Sequence, residues 1–160
     1  MRHRSVTAIA AIFVLAPSLA LAQARPALLS GAVKAPITLD EADMTALPAV
    51  TIDISFETSG GTETGTYTGA LLWDLLAKAE LVNDPGKNAS LKHAIMVTGR
   101  DGYAVAIALG EIDPKFGAKQ VLVAYRGSDP SVSFDSLRVL VPGDLHGGRS
   151  VKDVASIEVR

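Results

Sequence analysis

Cysteine is missing from all 160 residues of this sequence. Its absence excludes disulfide bonds, a thiolate nucleophile and a thiolate metal ligand. Histidine is scarce as well: besides His3 near the N-terminus there are only His93 and His146, which lie far apart in the chain. A metal site built on histidine needs several such ligands close together. The sequence therefore does not favour one.

Charge imbalance and basic runs are also absent. The chain has 15 Lys and Arg against 17 Asp and Glu, which gives a formal net charge of −2 at pH 7. Proteins that bind nucleic acid or an anionic membrane surface usually concentrate basic residues, so neither is an expected partner. The G-x-S-x-G motif of hydrolases with a nucleophilic serine does not occur either.

The first 24 residues predict a secretory signal peptide. Arg2 and Arg4 precede an apolar stretch over residues 6–16, which is shorter than the roughly 20 residues that span a bilayer. Small residues at the expected spacing end at Ala22 and Ala24, so we expect cleavage near residues 22–24. No second apolar segment follows. We therefore expect export to the periplasm and no membrane insertion after cleavage.

The rest of the chain predicts one domain. Residues 25–35 contain many small residues and predict an extended arm, and residues 36–160 predict a single domain. Alternating or short apolar runs predict strands over residues 37–39, 50–56, 93–98, 102–109, 121–125, 137–141 and 151–159. Helical spacing predicts a helix over residues 69–81, and Asp40 suits the N-cap of a short helix over residues 41–47. Many short strands with few short helices indicate an α+β fold with a mixed sheet.

Residues 57–69, rich in glycine and threonine, predict a mobile loop or a loose hairpin. Loops of this kind often line functional sites. This segment is therefore a candidate wall of a ligand site.

The turn over residues 147–152 is the best candidate for a ligand site. Gly147 and Gly148 permit close approach of the backbone and offer amide groups to an anion. Ser150 and Lys152 share one face of the following strand at period two. Arg149, at the turn, has paired N–H donors for a phosphate or a planar group, so Arg149→Ala should weaken binding more than folding. A solvated hairpin whose cations serve solubility explains the same pattern.

Three further residues are candidates with simpler explanations. His146 could hydrogen-bond or protonate a ligand near neutral pH, but it also suits a polar turn. Asp101 and Tyr103 flank Gly102, and aspartate is common in glycine turns for local reasons. A role in ligand binding is the alternative interpretation of Asp101 and Tyr103.

Four stretches, in their order along the chain, carry a family resemblance. They read YTGALLWDLL, VTGRDGYAVAIAL, VLVAYRGSDP and LRVLVPGDLHGGRSVKDVASIEV. Together they resemble the molybdopterin-binding domain of the sulfite oxidase family across residues 36–159. The resemblance implies a partly barrel-like mixed sheet. It also implies that Arg149, Ser150 and Lys152 contact the pterin and its phosphate.

One departure from the family concerns its metal. In that family a cysteine thiolate at the end of a strand holds molybdenum, and the resemblance places this position near Glu57 and Thr58. Neither a carboxylate nor a hydroxyl replaces a soft thiolate. We therefore expect no stoichiometric molybdenum, no metal-ligating residue and no catalytic residue, and we count Thr58 among the residues that line a cofactor site.

Short exported proteins of this fold without cysteine are similar to this chain, and some bind pterins and inform membrane-anchored signalling proteins. The resemblance thus implies a non-catalytic periplasmic pterin-binding protein with a pterin or molybdopterin-like ligand. Its expected protein partner is the periplasmic domain of a membrane signalling protein. Two alternatives remain open. One is a molybdopterin-dependent oxidoreductase whose metal is held by the cofactor dithiolene alone, and the other is a domain that binds only a protein.

Overall fold

Two β-sheets form the frame of the domain in the computed structural model, which describes residues 25–82 and 85–160. The predicted signal peptide, residues 1–24, lies outside the described residues. The described strands are β1 (Ala27–Gly31), β2 (Ile37–Leu39), β3 (Val50–Thr58), β4 (Gly61–Leu71), β5 (Ala94–Gly99), β6 (Ala104–Ala108), β7 (Leu122–Gly127), β8 (Arg138–Leu140) and β9 (Val154–Val159). The helices are α1 (Glu41–Thr45), α2 (Leu72–Lys78) and α3 (Leu109–Ile112), with 3₁₀ turns at Ala89–Lys92 and Gly147–Arg149.

The first sheet is mixed and the second is antiparallel. The first has the order β2-β1-β9-β5-β6, and the second has the order β3-β4-β7-β8. Strands β1 and β9 pair in parallel, whereas the other neighbouring strands pair antiparallel. The prediction of an α+β fold with a mixed sheet and few short helices is confirmed.

The predicted extended arm requires correction, because β1 lies inside the first sheet. It pairs with β2 on one side and β9 on the other. Ala27 and Leu29 are buried while Leu28 between them is exposed, which is the alternation of a strand with one face on the core. Residues 27–31 are therefore part of the folded domain.

The predicted loop over residues 57–69 is a regular hairpin instead. Strands β3 and β4 pair without interruption from Val50 opposite Gly69 to Thr58 opposite Gly61. Threonines of β4 bond across the hairpin, as in the 2.6 Å hydrogen bond from Thr66 Oγ1 to Asp53 Oδ1. Threonine is β-branched and packs well in strands, and this propensity outweighs the flexibility that the glycines suggested.

The main helix begins later than its periodicity predicted. Gly69 belongs to β4 at a register shift opposite β7, and a Cβ there would lie 2.1 Å from the carbonyl oxygen of Val123. Because β4 and β7 approach closely here, residues 69–71 belong to the sheet and not to the helix. Helix α2 starts at Leu72 and buries Leu75 and Leu76 in the main core.

Two local predictions are confirmed. The carboxylate of Asp40 caps α1 by accepting a hydrogen bond from the Asp43 amide at 2.9 Å, and β5 and β6 pair around the turn that contains Gly102. Among the described residues, no helix has the length and apolar composition needed to cross a membrane.

Candidate functional site

Two adjoining depressions lie where the β3–β4 hairpin, the β5–β6 turn and the chain before β9 meet. The first, which we call the groove, has a volume of about 350 Å³ and is lined by Phe56, Thr58, Glu63, Asp101, Tyr103, Arg138, Gly147, Ser150 and Lys152. The second, which we call the side pocket, has a volume of about 360 Å³ and is lined by Glu57, Thr58, Ser59, His146, Gly147 and Gly148. Thr58 and Gly147 belong to both.

The structure brings together eight of the nine residues that the sequence singled out. Six line the groove and two more line the side pocket: Thr58, Asp101, Tyr103, Gly147, Ser150 and Lys152, then His146 and Gly148. Residues almost 100 positions apart therefore meet at one surface. Arg149 is the exception.

Hydrogen bonds fix the segment before β9 against the β3–β4 hairpin and the β5–β6 turn. The Glu57 amide donates to the Leu145 carbonyl at 2.9 Å, and the Tyr103 hydroxyl donates to the Gly148 carbonyl at 2.5 Å. A Cβ on Gly147 would lie 2.6 Å from the ring of Phe56. Only glycine therefore lets the backbone pass over this ring, and the shared wall of the two depressions depends on it.

Arg149, which the sequence predicts to clamp a ligand, has its guanidinium bound by two carboxylates of the protein. Nε and Nη2 donate to the two oxygens of Asp144 at 2.8 and 2.7 Å. Nη1 donates to Glu111 Oε1 and Oε2 at 3.1 and 3.0 Å. Hydrogen bonds from Arg149 hold the pKa of Asp144 below its usual value. Arg149 thus ties the segment before β9 to α3.

Arg149→Met should therefore destabilise the fold, in contrast to the expectation from sequence. It removes four hydrogen bonds to Asp144 and Glu111 and leaves them with Lys119 at 3.5 and 3.9 Å, so we expect a loss of about 1–2 kcal/mol for this half-buried network. Urea unfolding of the variant beside Lys92→Met, an exposed lysine of the 3₁₀ turn at Ala89–Lys92, measures the difference. Equal stability of the two variants contradicts the structural role.

Arg138 is the residue that sequence reasoning missed. It is 1% exposed and underlies the groove from β8. Nη1 donates to Glu63 Oε1 at 2.6 Å and to the Tyr67 hydroxyl at 3.0 Å, and Nε donates to Ser150 Oγ at 2.9 Å. The guanidinium carbon also lies 5.3 Å from the centroid of the Tyr67 ring, within cation–π range. A charged residue inside the otherwise apolar run LRVLV was the sequence signal that could have indicated a buried, paired arginine.

The acidic residues around Arg138 and Lys152 are held ionised. The hydrogen bond from Arg138 lowers the pKa of Glu63. Asp129 has a pKa of about 2, mainly because the Ser131 hydroxyl and amide donate to its carboxylate. Lys152 Nζ lies 3.2 Å from Asp129 Oδ2. At neutral pH the groove therefore contains ionised carboxylates next to its cations.

Comparison with known proteins identifies the family. The family model of the oxidoreductase molybdopterin-binding domain matches residues 27–160. The chain belongs to this family. The resemblance to the sulfite oxidase-type domain is confirmed, and the match includes β1, which the sequence had placed outside the domain. A comparison with curated proteins finds no match.

Among solved structures, the sulfane dehydrogenase SoxCD from Paracoccus pantotrophus has a similar fold. Its TM-score is 0.66 at 16% sequence identity, and the similarity covers 84% of this chain and 37% of that chain. The chain thus spans little more than a third of the length of that protein. At this identity the likeness concerns the fold.

The residues of the site fit the organic part of a molybdopterin-type ligand better than its metal. Thr58 and Glu57 end β3, where the resemblance places the metal-binding thiolate, and the chain has no cysteine. The Thr58 hydroxyl instead donates to the Gly61 carbonyl at 2.7 Å within the hairpin turn. The described residues also contain no group of three or more His, Asp or Glu arranged to hold a metal ion. Donors and acceptors suited to a heterocycle are present, as on Lys152 and Ser150.

Proposed function

We propose that this domain binds a pterin-type ligand in the groove and side pocket and does not itself catalyse a redox reaction. The observation that carries the proposal is that eight of the nine residues singled out in the sequence line two adjoining depressions of a molybdopterin-binding domain, while the thiolate that would bind molybdenum is missing. A soft thiolate has no equivalent among carboxylates and hydroxyls. The proposed binding surface thus lacks the thiolate through which the family holds its metal.

The lining of the groove suits a flat, polar heterocycle. Tyr103 presents an aromatic ring that is 49% exposed, and aromatic rings stack on planar heterocycles with a gain of about 1–3 kcal/mol each. Lys152 and Ser150 add donors, and Asp101 and Glu63 add acceptors along the same surface. A ring with donors and acceptors on its edge can satisfy both kinds of group.

We further propose that the protein acts in the periplasm and reports ligand binding to a membrane-bound partner. The signal-peptide pattern of residues 1–24 supports export. Leu145, the chain neighbour of His146, is 81% exposed, which gives a partner an apolar contact beside the ligand site. N-terminal sequencing of the mature protein tests export, since a chain that retains Met1 contradicts it.

Binding through the groove predicts a specific response to changes at Tyr103. Tyr103→Ala removes the ring and should weaken binding of a pterin about tenfold or more. Tyr103→Phe is the matched control, because it retains the ring and loses only the hydrogen bond to Gly148. We expect less than about a threefold change for it.

Quenching of pterin fluorescence by the purified protein measures both affinities. If no pterin binds the wild-type protein, the domain is better explained as one that binds only a protein. If alanine and phenylalanine variants lose the same affinity, the ring does not contact the ligand.

The alternative function is that of a molybdopterin-dependent oxidoreductase, and membership of the family favours it. In that case the cofactor would supply redox chemistry with its metal held without a protein thiolate. Elemental analysis separates the two functions. We expect no stoichiometric molybdenum, and about one molybdenum per chain in protein purified from its own periplasm would favour the oxidoreductase.

A further inference from the structure

The charges around the groove sum to a negative value. Its cations are Arg138 and Lys152, and the carboxylates that line the groove or pair with these cations are Glu63, Asp101 and Asp129. Two positive and three negative charges leave a net charge of −1. Glu57 in the side pocket adds one more negative charge. This balance is opposite to that of a typical phosphate site.

Both cations of the groove already have carboxylate partners. Arg138 Nη1 lies 2.6 Å from Glu63 Oε1 and 3.6 Å from Asp129 Oδ2. Lys152 Nζ lies 3.2 Å from the same Asp129 oxygen. A phosphate would therefore have to compete with a protein carboxylate for either cation. That competition removes most of the gain from the new ion pair.

The ion-pair cluster that contains Arg149 adds no positive surplus. Arg149 and Lys119 share the carboxylates of Glu111 and Asp144, so that cluster of two cations and two anions is neutral. None of the four lines the groove or the side pocket. These four residues therefore supply no net positive charge that could attract a phosphate.

We propose that the groove selects a pterin that carries no phosphate, with Glu63 as the acceptor for the N–H groups of its aminopyrimidinone edge. This inference rests on the proposed function, because it specifies the ligand of the same site. The amino group and ring N–H of a pterin lie side by side, so the oxygen of Glu63 that is not bound within the protein can accept from this edge. Glu63 Oε1 accepts from Arg138 Nη1 at 2.6 Å and from the Tyr67 hydroxyl at 3.3 Å. Among the described residues, Oε2 accepts no hydrogen bond from the protein.

Glu63 is the better acceptor of the two carboxylates that line the groove. Its side chain is 28% exposed and anchored by a buried guanidinium. Asp101 is exposed, and its Oδ1 accepts the Tyr103 amide of its own turn at 2.9 Å. A partly buried, fixed carboxylate gains more from a paired donor than an exposed one. Asp101 contributes negative charge in the same groove.

Comparing 6-hydroxymethylpterin with its phosphate monoester tests the charge selection. We expect the ester to bind the wild-type protein at least about fivefold to tenfold more weakly, because its two negative charges face a groove of the same sign. Raising the salt concentration should narrow this gap, since screening weakens repulsion. A groove that clamps phosphate would show the reverse: tighter binding of the ester, which weakens with salt.

Two variants and one control test the roles of Asp101 and Glu63. Asp101→Asn retains the side-chain acceptor of the turn and removes one charge, so the ratio of the ester Kd to the free-pterin Kd should fall severalfold. Glu41→Gln, an exposed change on α1, should leave the ratio unaltered. Glu63→Gln should weaken binding of the free pterin about tenfold, because an amide has one acceptor oxygen in place of two. Circular dichroism confirms that each variant is folded.

The outcomes separate this inference from the proposed function. If both ligands bind and the ester binds as tightly as the free pterin or more tightly, the charge selection is overturned and pterin binding stands. An unchanged ratio in Asp101→Asn also overturns it, whether or not Glu63→Gln folds. If neither ligand binds, pterin binding itself fails, and the inference fails with it.

Discussion

Arg138→Ala should lower the free energy of unfolding by about 3–5 kcal/mol, because it leaves the partly buried Glu63 without its cation and Asp129 with Lys152 alone. Arg138 is 1% exposed and has ion-pair distances of 2.6 Å to Glu63 and 3.6 Å to Asp129. The Tyr67 hydroxyl and Ser150 lose a hydrogen-bond donor as well. The deleted side chain also leaves a cavity between β8 and β4.

The matched control is Arg160→Ala. Arg160 pairs with Glu158 at 2.6 Å, but the two side chains are 61% and 41% exposed, so we expect almost no change in the free energy of unfolding. Urea unfolding followed by circular dichroism gives both values. A loss below about 1 kcal/mol for Arg138→Ala would contradict the view that this guanidinium organises the floor of the groove.

Gly147→Ala should be damaging, whereas Gly148→Ala should not. The new Cβ at Gly147 would lie 2.6 Å from the Phe56 ring, whereas no atom lies within 4 Å of a Cβ at Gly148. Overpacking of this kind costs about 1–3 kcal/mol. Relieving it requires the turn to move away from β3, so we expect pterin affinity to fall at least about tenfold in Gly147→Ala.

The two glycine variants differ by one position and carry the same added methyl group. Thermal unfolding and pterin titration of both therefore isolate the contact with Phe56 from any general effect of replacing glycine. If Gly148→Ala loses as much stability as Gly147→Ala, the contact is not the cause. If Gly147→Ala unfolds more readily and still binds normally, the wall shared by the groove and the side pocket does not depend on this turn.

Much of the secondary structure follows from local patterns. The alternation of residues 50–56 predicted β3, and the apolar runs of residues 121–125 and 137–141 predicted β7 and β8. Asp40 predicted the start of α1 because an N-cap needs only a nearby amide. Local rules failed where a neighbouring strand decided the outcome. Gly69 joins β4 because β7 passes too close for a side chain, and nothing in a window of sequence records that approach.

The position of the candidate site was predicted from sequence, but the charges within it were not. The glycines, Ser150 and Lys152 were recognised from a turn pattern and a resemblance, because they lie within six consecutive residues of the chain. Ion pairing depends on residues that are distant in the chain. Arg149 meets Glu111, 38 positions away, and Arg138 meets Glu63, 75 positions away.

By itself, then, the sequence determined the family, the α+β class, the absence of a thiolate ligand and the segment that lines the groove, because these depend on residue identity and local order. Only the tertiary structure decided which cations remain available to a ligand. Packing places acidic side chains from β4, α3 and the chain after β7 beside Arg138, Lys152 and Arg149. Electrostatic interactions depend on distance in space and on burial, so the charge of the site followed from the fold.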